Sequence, residues 1–332
     1  MDIEESGGYF IEMDAYADAE QAWFRSNLKQ IPVTIKYPKD EDIIPEQKYA
    51  IKSHFEWFEK SFFSYNYKDA QNGFRKYLDV ETFINRFLIQ EISGNPDSFW
   101  SVFMYKYRNE DKFYFSPVWD FDIAYDNDGL LYPTNDRKEW LHDGNGRMAS
   151  EGVRDIIKRI FTDEVFYSDL QARYYDLCNR GILTEASLLK TVDDYALELD
   201  QSQKLNFIRW DILNIPVHQN PKAYGSYAAE VENVKDYLRK RIAWMDNKLN
   251  YKPSGISDVS DSSTVAVSVN GNELFITGIT GLTKLKIVNI NGIIEKQKEI
   301  KAGFSTPLAK GIYIIQLIEA NKNPLTFKRI IY

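Results

Sequence analysis

The chain has 332 residues, of which 44% are hydrophobic, and it contains 22 Tyr, 20 Phe and 7 Trp. It is long enough for a main domain with an appendage, and too rich in apolar residues for a disordered protein. The formal charge of −8 and the lack of a basic stripe with interleaved aromatics exclude nucleic acid as a partner. The sequence contains no run of about 18 apolar residues, so no transmembrane segment is predicted.

The first predicted elements are a short strand and two amphipathic helices. An apolar strand begins at Tyr9, after two glycines. One helix is predicted from apolar residues at steps of four, three and four, which are Ile51, Phe55, Phe58 and Phe62. Asp79 is predicted to N-cap a second helix, because its side chain can accept from first-turn amides. The buried stripe of that helix is Val80, Phe83, Ile84, Phe87 and Leu88.

A hairpin is predicted after this second helix. Residues 94–96 (GNP) break the helix, and two strand-like runs follow, FWSVFMYKY and KFYFSPVW. Helical periodicity resumes over 153–161, 165–178, 188–207 and 227–249. We therefore expect a lone polar-lined hairpin embedded in helices. The fold class predicted for residues 1–250 is α+β, a mainly helical lobe with a central β-hairpin.

The C-terminal part has a different sequence pattern, without helical periodicity. Residues 251–264 are rich in Ser, Asp, Gly and Pro and predict a linker. Beyond it, short alternating runs are separated by Asn270-Gly271 and Asn291-Gly292, turn pairs in which both residues favour positive φ. This pattern predicts an all-β, immunoglobulin-like sandwich over residues 265–332.

The single cysteine and the three histidines are expected to be non-functional. Cys178 has no partner for an intrachain disulfide, and it lies in a helical pattern where we expect a small buried side chain rather than a reactive thiol. His54, His142 and His218 lack the spacing of metal ligands, and His54 is placed on the polar side of its helix.

Carboxylates follow the second strand of the hairpin. Asp120 and Asp122 flank Phe121, directly after an apolar Val-Trp pair. Residues two apart on a strand face the same side, so we expect both carboxylates to project together from a strand end. Such charges repel unless a cation lies between them, and Mg²⁺ prefers oxygen ligands. The pair predicts a metal site, and the alternative is a cap that accepts backbone N–H groups of a turn.

Asp97 lies 23 residues before Asp120, directly after the helix break. A hairpin that folds back would bring its far end near residue 97. Protein kinases unite a catalytic-loop Asp and a metal-binding Asp in the same manner. Asp97 is therefore the third candidate site residue. Residues 126–129 (DNDG) lack the first and last ligands of a calcium loop and predict a turn.

Several elements in residues 1–250 occur in an order that matches a known family. The most specific is the WDFD run at 119–122 preceded by NPD at 95–97. The other matching elements are residues 9–12, 36–38, 77–79, 90–97, 101, 105–106, 117–118 and 241–246. With these elements the chain resembles the CotH kinase family, whose members are atypical kinases that transfer the γ-phosphate of ATP to Ser or Thr of secreted proteins.

This resemblance implies a catalytic role for Asp97, metal binding by Asp120 with support from Asp122, and Mg and ATP as cofactors. It implies a surface or secreted protein as substrate. The resemblance begins in mid-domain at Gly8, so we expect the part that completes the nucleotide pocket to lie upstream, and kinase activity to depend on it. The alternative is an inactive kinase-like remnant that serves as a protein- or glycan-binding module at the cell surface.

Three elements stand out in roughly the last seventy residues, which are LFI at 274–276, the run KIVNINGIIEKQ and LAKGIYI at 308–314. With them this part of the chain resembles the C-terminal sorting domain of type IX secretion cargo. The resemblance implies recognition by that secretion machinery and a secreted or cell-surface location. The alternative is a generic small sandwich for interaction.

Overall fold

The computed structural model describes residues 7–129, 138–143, 151–252, 265–319 and 325–331. The chain divides into an N-terminal unit, Met1–Tyr251, and a C-terminal unit, Lys252–Tyr332. The predicted α+β class is confirmed, because the described part of the N-terminal unit holds seven α-helices and a sheet and that of the C-terminal unit is all β. Most of the predicted linker, residues 253–264, lies outside the described residues.

A five-stranded antiparallel sheet forms one layer of the N-terminal unit. Its strands are β1 (Tyr9–Met13), β2 (Trp23–Arg25), β3 (Pro32–Tyr37), β4 (Val102–Lys106) and β5 (Tyr114–Phe115), in the spatial order β2-β3-β1-β4-β5. The hairpin β4-β5 exists, but the expectation that it stands alone among helices is wrong. It pairs through β4 with β1, about ninety residues earlier in the chain, and such distant pairing leaves no local sequence signal.

The two faces of this sheet differ in composition. Alternate residues such as Ile11, Val33 and Met104 are fully buried and form the apolar layer beneath the helices. The opposite face carries partly exposed aromatics, and Phe10 stacks on Phe103 with ring centroids 5.1 Å apart. Strand alternation thus separates a core face from a second, aromatic face.

The helices of the N-terminal unit are α1 (Pro45–Phe63), α2 (Val80–Ser93), α3 (Glu151–Ile160), α4 (Glu164–Asn179), α5 (Glu185–Glu198), α6 (Asp200–Arg209) and α7 (Tyr227–Lys248). Both predicted aromatic stripes are core, and the Asp79 cap is confirmed by a 2.9 Å bond from the Thr82 amide. The segment predicted as one helix over 188–207 divides at Leu199 into α5 and α6. Among the described residues, none of the helices combines the length and the apolar composition that a membrane span requires.

The placement of His54 on a polar helix face is wrong. The residue is only 6% exposed, and its ring stacks on Phe113 at 4.8 Å. Helix α1 is covered here by the hairpin connection, residues 107–113, in which Phe113 contacts both His54 and Phe55, while Phe24 of the sheet also packs on Phe55. The periodicity of α1 alone indicated only that its aromatic stripe is buried.

The C-terminal unit is a two-sheet β-structure. Its strands are β6 (Ala266–Asn270), β7 (Glu273–Thr277), β8 (Thr283–Asn289), β9 (Ile294–Ile300), β10 (Phe304–Pro307), β11 (Gly311–Glu319) and β12 (Leu325–Ile331). One sheet has the order β10-β7-β6 and the other β12-β11-β8-β9. Leu274, Ile287 and Ile315 from the two sheets are fully buried in a common core.

Both Asn-Gly pairs lie at hairpin turns between neighbouring strands, as predicted. In each pair only the glycine has positive φ, +60° at Gly271 and +79° at Gly292. The expectation of positive φ at both residues is therefore wrong. Asn270 is the last residue of β6, and the Asn289 side chain accepts the main-chain N–H groups of the second turn.

Candidate functional site

The candidate site begins where α2 ends. Gly94 closes the helix with φ +63°, and its amide donates to the Gln90 carbonyl. A Cβ on Gly94 would lie 2.1 Å from the hydroxyl oxygen of Tyr237 on α7, so only glycine fits there. The last turn of α2 is also tied to α7 by the fully buried ion pair between Glu91 and Arg241, 2.6 Å apart. The chain therefore leaves α2 from a fixed point.

Asn95, the next residue, joins two loops that are distant in sequence. Its side chain is almost completely buried, with 2% exposure. The Asn95 Oδ1 accepts from the Asp97 amide at 3.0 Å, and its Nδ2 donates to the Asp120 carbonyl at 3.1 Å. One amide thus holds the backbones of two candidate site residues. Sequence reasoning noticed Asn95 as part of the helix break and of the family element, and did not predict that its side chain joins the two loops.

The expectation that Asp120 and Asp122 project from a strand end is wrong. Strand β5 ends at Phe115, and Pro117 has no N–H with which to continue the ladder. Asp120 adopts the left-handed region with φ +59°. Asp122 lies in the turn that follows, where its carbonyl accepts from Asn127 Nδ2 at 2.8 Å. The loop geometry, rather than a strand face, sets the direction of these side chains.

The loop nevertheless brings the carboxyl groups together. Burial, then a side-chain hydrogen bond with Asp122 and its charge, raise the pKa of Asp120. Partial burial raises the pKa of Asp97, with further contributions from the charges of Asp120, Asp128 and Asp122. Asp128 is 1% exposed and lies within residues 126–129, whereas the bond from the Asn127 amide to the Ala124 carbonyl closes a turn slightly earlier, at 124–127. The three sequence-predicted residues therefore share one negative electrostatic environment.

The carboxylate oxygens of this site suit a hard cation whose coordination the protein supplies only in part. Within the described ranges, no three His, Cys, Asp or Glu side chains are arranged to hold a metal ion. Mg²⁺ in kinase sites usually takes one or two carboxylates and completes its coordination with phosphate oxygens and water. The contacting carboxyls of Asp120 and Asp122 fit that requirement. No main-chain N–H among the described residues donates to either carboxyl, which leaves the turn-cap alternative without support.

An ion pair on the aromatic face of the sheet supports the loop that carries Asp97. Lys36 Nζ lies 3.1 Å from Glu12 Oε2, and Glu12 is 4% exposed. Burial raises the pKa of Glu12, whereas hydrogen bonds to Lys36 and to the Ser101 side chain lower it. The Ser101 carbonyl in turn accepts from Trp119 Nε1 at 3.1 Å. Strand β1 is thereby linked to the segments before β4 and after β5, a connection that sequence reasoning missed.

Comparisons with known proteins match the N-terminal unit to one family. The family model described as "CotH kinase protein" matches residues 1–245. No curated protein matches the chain. One similar solved structure is a duf3244 family protein with an immunoglobulin-like β-sandwich fold from Bacteroides vulgatus ATCC 8482, at 14% identity and a TM-score of 0.21, covering 22% of this chain and 88% of that chain.

Proposed function

Because the chain belongs to the CotH kinase family, we propose that its N-terminal unit is an atypical protein kinase that transfers the γ-phosphate of ATP to Ser or Thr of a surface or secreted protein. The observation that carries the proposal is the shared environment of Asp97, Asp120 and Asp122 on two loops joined by Asn95. A kinase site needs this combination of a carboxylate for the acceptor hydroxyl and carboxylates for a metal.

In this proposal Asp120 and Asp122 hold Mg²⁺. When bound with ATP, this ion would offset the negative charge on the β- and γ-phosphates. The pair fits this task because its carboxyls already contact each other and Asp122 is exposed, so phosphate and water can reach the remaining coordination positions.

Asp97 is proposed to orient the acceptor hydroxyl and to accept its proton. Asp97 is only partly buried and keeps accessible surface, and within the described part of the chain its carboxylate makes no hydrogen bond, so a substrate hydroxyl can reach it. Its raised pKa makes it a better proton acceptor than an ordinary aspartate. The Asn95 bond to the Asp97 amide fixes the backbone without occupying the carboxylate.

Calorimetric titration of Mg²⁺ and ATP into the full chain tests the binding step. We expect saturable heat from the wild type, its loss in Asp120→Ala, and its retention in Asp97→Ala. Asp169→Ala, which removes an exposed carboxylate on α4, is the matched control and should bind like the wild type. Transfer of labelled γ-phosphate to protein, including the chain itself, should then be lost in Asp97→Ala.

Two outcomes would count against this proposal. Absence of heat from the wild type would remove the nucleotide site and favour the inactive binding-module reading. Equal binding by Asp120→Ala and the wild type would place any nucleotide elsewhere on the unit.

We further propose that the C-terminal unit is a sorting domain for type IX secretion and that the protein is secreted or displayed at the cell surface. The elements at 274–276 and 308–314 support this proposal, and they lie on β7 and at the start of β11. Expression of the full chain and of a version ending at residue 252, in a bacterium with this secretion system, tests it. Surface display of both versions, or of neither, would contradict a sorting role.

A further inference from the structure

A cavity of about 230 Å³ lies at the turn end of the β4-β5 hairpin, whereas Asp97 and Asp120 lie at its other end. Helix α1 forms one wall and the hairpin connection the other. Five of its ten lining residues carry charged, amide or imidazole side chains. The lining residues that matter for binding are Tyr9, His54, Trp57, Lys106, Glu110 and Asp111.

The polar atom that points to a ligand is Nε2 of His54. The side chain is 94% buried, since only 6% of it is exposed, and its Nδ1 is hydrogen-bonded to the Tyr9 hydroxyl. Within the described residues, Nε2 is buried and makes no hydrogen bond of good geometry, although the Asp111 backbone lies close to the ring. A buried polar atom with only a poorly placed partner is costly, and a ligand or water in the cavity would satisfy it.

The protonation state of this ring defines what it can bind. Burial, and then the charge of Lys106, lower the pKa of His54 to about 4, against smaller opposing effects of the Asp111 charge and of a hydrogen bond to the Asp111 backbone. The ring is therefore neutral at physiological pH. Burial also raises the pKa of Tyr9, so its hydroxyl keeps its proton and donates to Nδ1. The ring proton then lies on Nε2, which offers a donor to the cavity.

The other walls provide an aromatic surface and both kinds of hydrogen-bonding group. Trp57 is 48% exposed, so its ring has a surface available to a ligand. Lys106 offers a donor, while Glu110 and Asp111 offer acceptors. One cation beside two carboxylates disfavours an anionic ligand such as phosphate.

Size narrows the ligand class further. The cavity is below the roughly 300 Å³ at which pockets for drug-sized molecules begin, and it suits a single six-membered ring with its substituents. A pyranose has one apolar face for an aromatic ring and hydroxyls that both donate and accept. We propose that this cavity binds one sugar ring of a glycan, stacked on Trp57 with its hydroxyls on His54 and Asp111.

Binding of small probes to the full chain tests this inference. Methyl glycosides of glucose, galactose, mannose and N-acetylglucosamine are titrated by saturation-transfer difference NMR, beside adenosine and inorganic phosphate. We expect saturable, millimolar binding of at least one glycoside, weakened at least tenfold by Trp57→Ala. Trp210→Ala removes another half-exposed tryptophan at the end of α6 and should leave binding unchanged. Asp120→Ala should also leave it unchanged, which separates this site from the proposed kinase site.

A second variant guards against loss of structure. If Trp57→Ala lowers the melting temperature, Asp111→Asn, an exposed side chain in the hairpin connection, replaces it and should weaken glycoside binding at least fivefold. The inference is overturned if no glycoside gives a saturable signal, or if neither Trp57→Ala nor Asp111→Asn weakens binding. Saturable binding of adenosine or phosphate that depends on Trp57, without glycoside binding, would reassign the cavity to that ligand.

Discussion

Replacing Asn95 by alanine removes the side chain that joins the two acidic loops. Two hydrogen bonds are lost, of 3.0 Å to the Asp97 amide and 3.1 Å to the Asp120 carbonyl, at a residue that is 2% exposed. Each contributes about 1 kcal/mol net, so the free energy of unfolding should fall by about 2 kcal/mol. For a domain of this size the melting temperature should fall by about 4–8 °C.

Thermal unfolding followed by circular dichroism measures this change. Asn72→Ala is the matched control, because Asn72 is exposed and bonds only to the exposed Asp69 turn, and it should shift the melting temperature by less than about 2 °C. Release of the Asp120 backbone should also weaken Mg²⁺-ATP binding at least tenfold. If the melting temperature of Asn95→Ala falls no further than that of the control, and Mg²⁺-ATP binding is unchanged, the role assigned to this amide is refuted.

Three further predictions address the helix end, the acidic pair and the cysteine. Gly94→Ala should lower the free energy of unfolding by about 2 kcal/mol or more, because it combines left-handed backbone strain with a clash against Tyr237. Gly181→Ala is the control, because Gly181 has φ +73° and open space around it, so only the backbone strain should destabilise that variant. Equal losses of stability in denaturant unfolding would contradict the clash. Because the pKa of Asp120 is raised above its ordinary 3.8 in the folded state, its ionisation opposes folding as the pH rises through that raised pKa. Asp120→Asn should therefore raise the melting temperature at pH 7 without metal and give no such gain at pH 3, and a lower melting temperature at pH 7 would contradict the repulsion. Burial, with the charge of Asp246, raises the pKa of Cys178 to about 12. Ellman's reagent at pH 8 should therefore react with Cys178 only after the protein unfolds. Rapid labelling of the native protein would contradict this prediction.

The features that could be predicted from the amino-acid sequence depend on local chemistry. Helical spacing identified the buried stripes of α1 and α2, and a carboxylate before an apolar run identified the Asp79 cap. Gly-Asn-Pro located the end of α2, and the Asn-Gly pairs located two turns of the sandwich. These features depend on residues a few positions apart, whose contacts the spacing fixes. The spacing of Asp120 and Asp122 drew attention to that pair for the same reason, whereas Asp97 was added by expecting the hairpin to fold back.

Contacts between distant segments were decided only by the tertiary structure. The pairing of β1 with β4 turned an expected lone hairpin into the edge of a sheet. The burial of His54 came from the hairpin connection packing on α1, and the direction of Asp120 came from a left-handed backbone after Pro117. Asn95 bridges loops 25 residues apart. Each of these depends on which surfaces meet when the chain compacts, and that choice minimises the free energy of the whole unit rather than of any one segment.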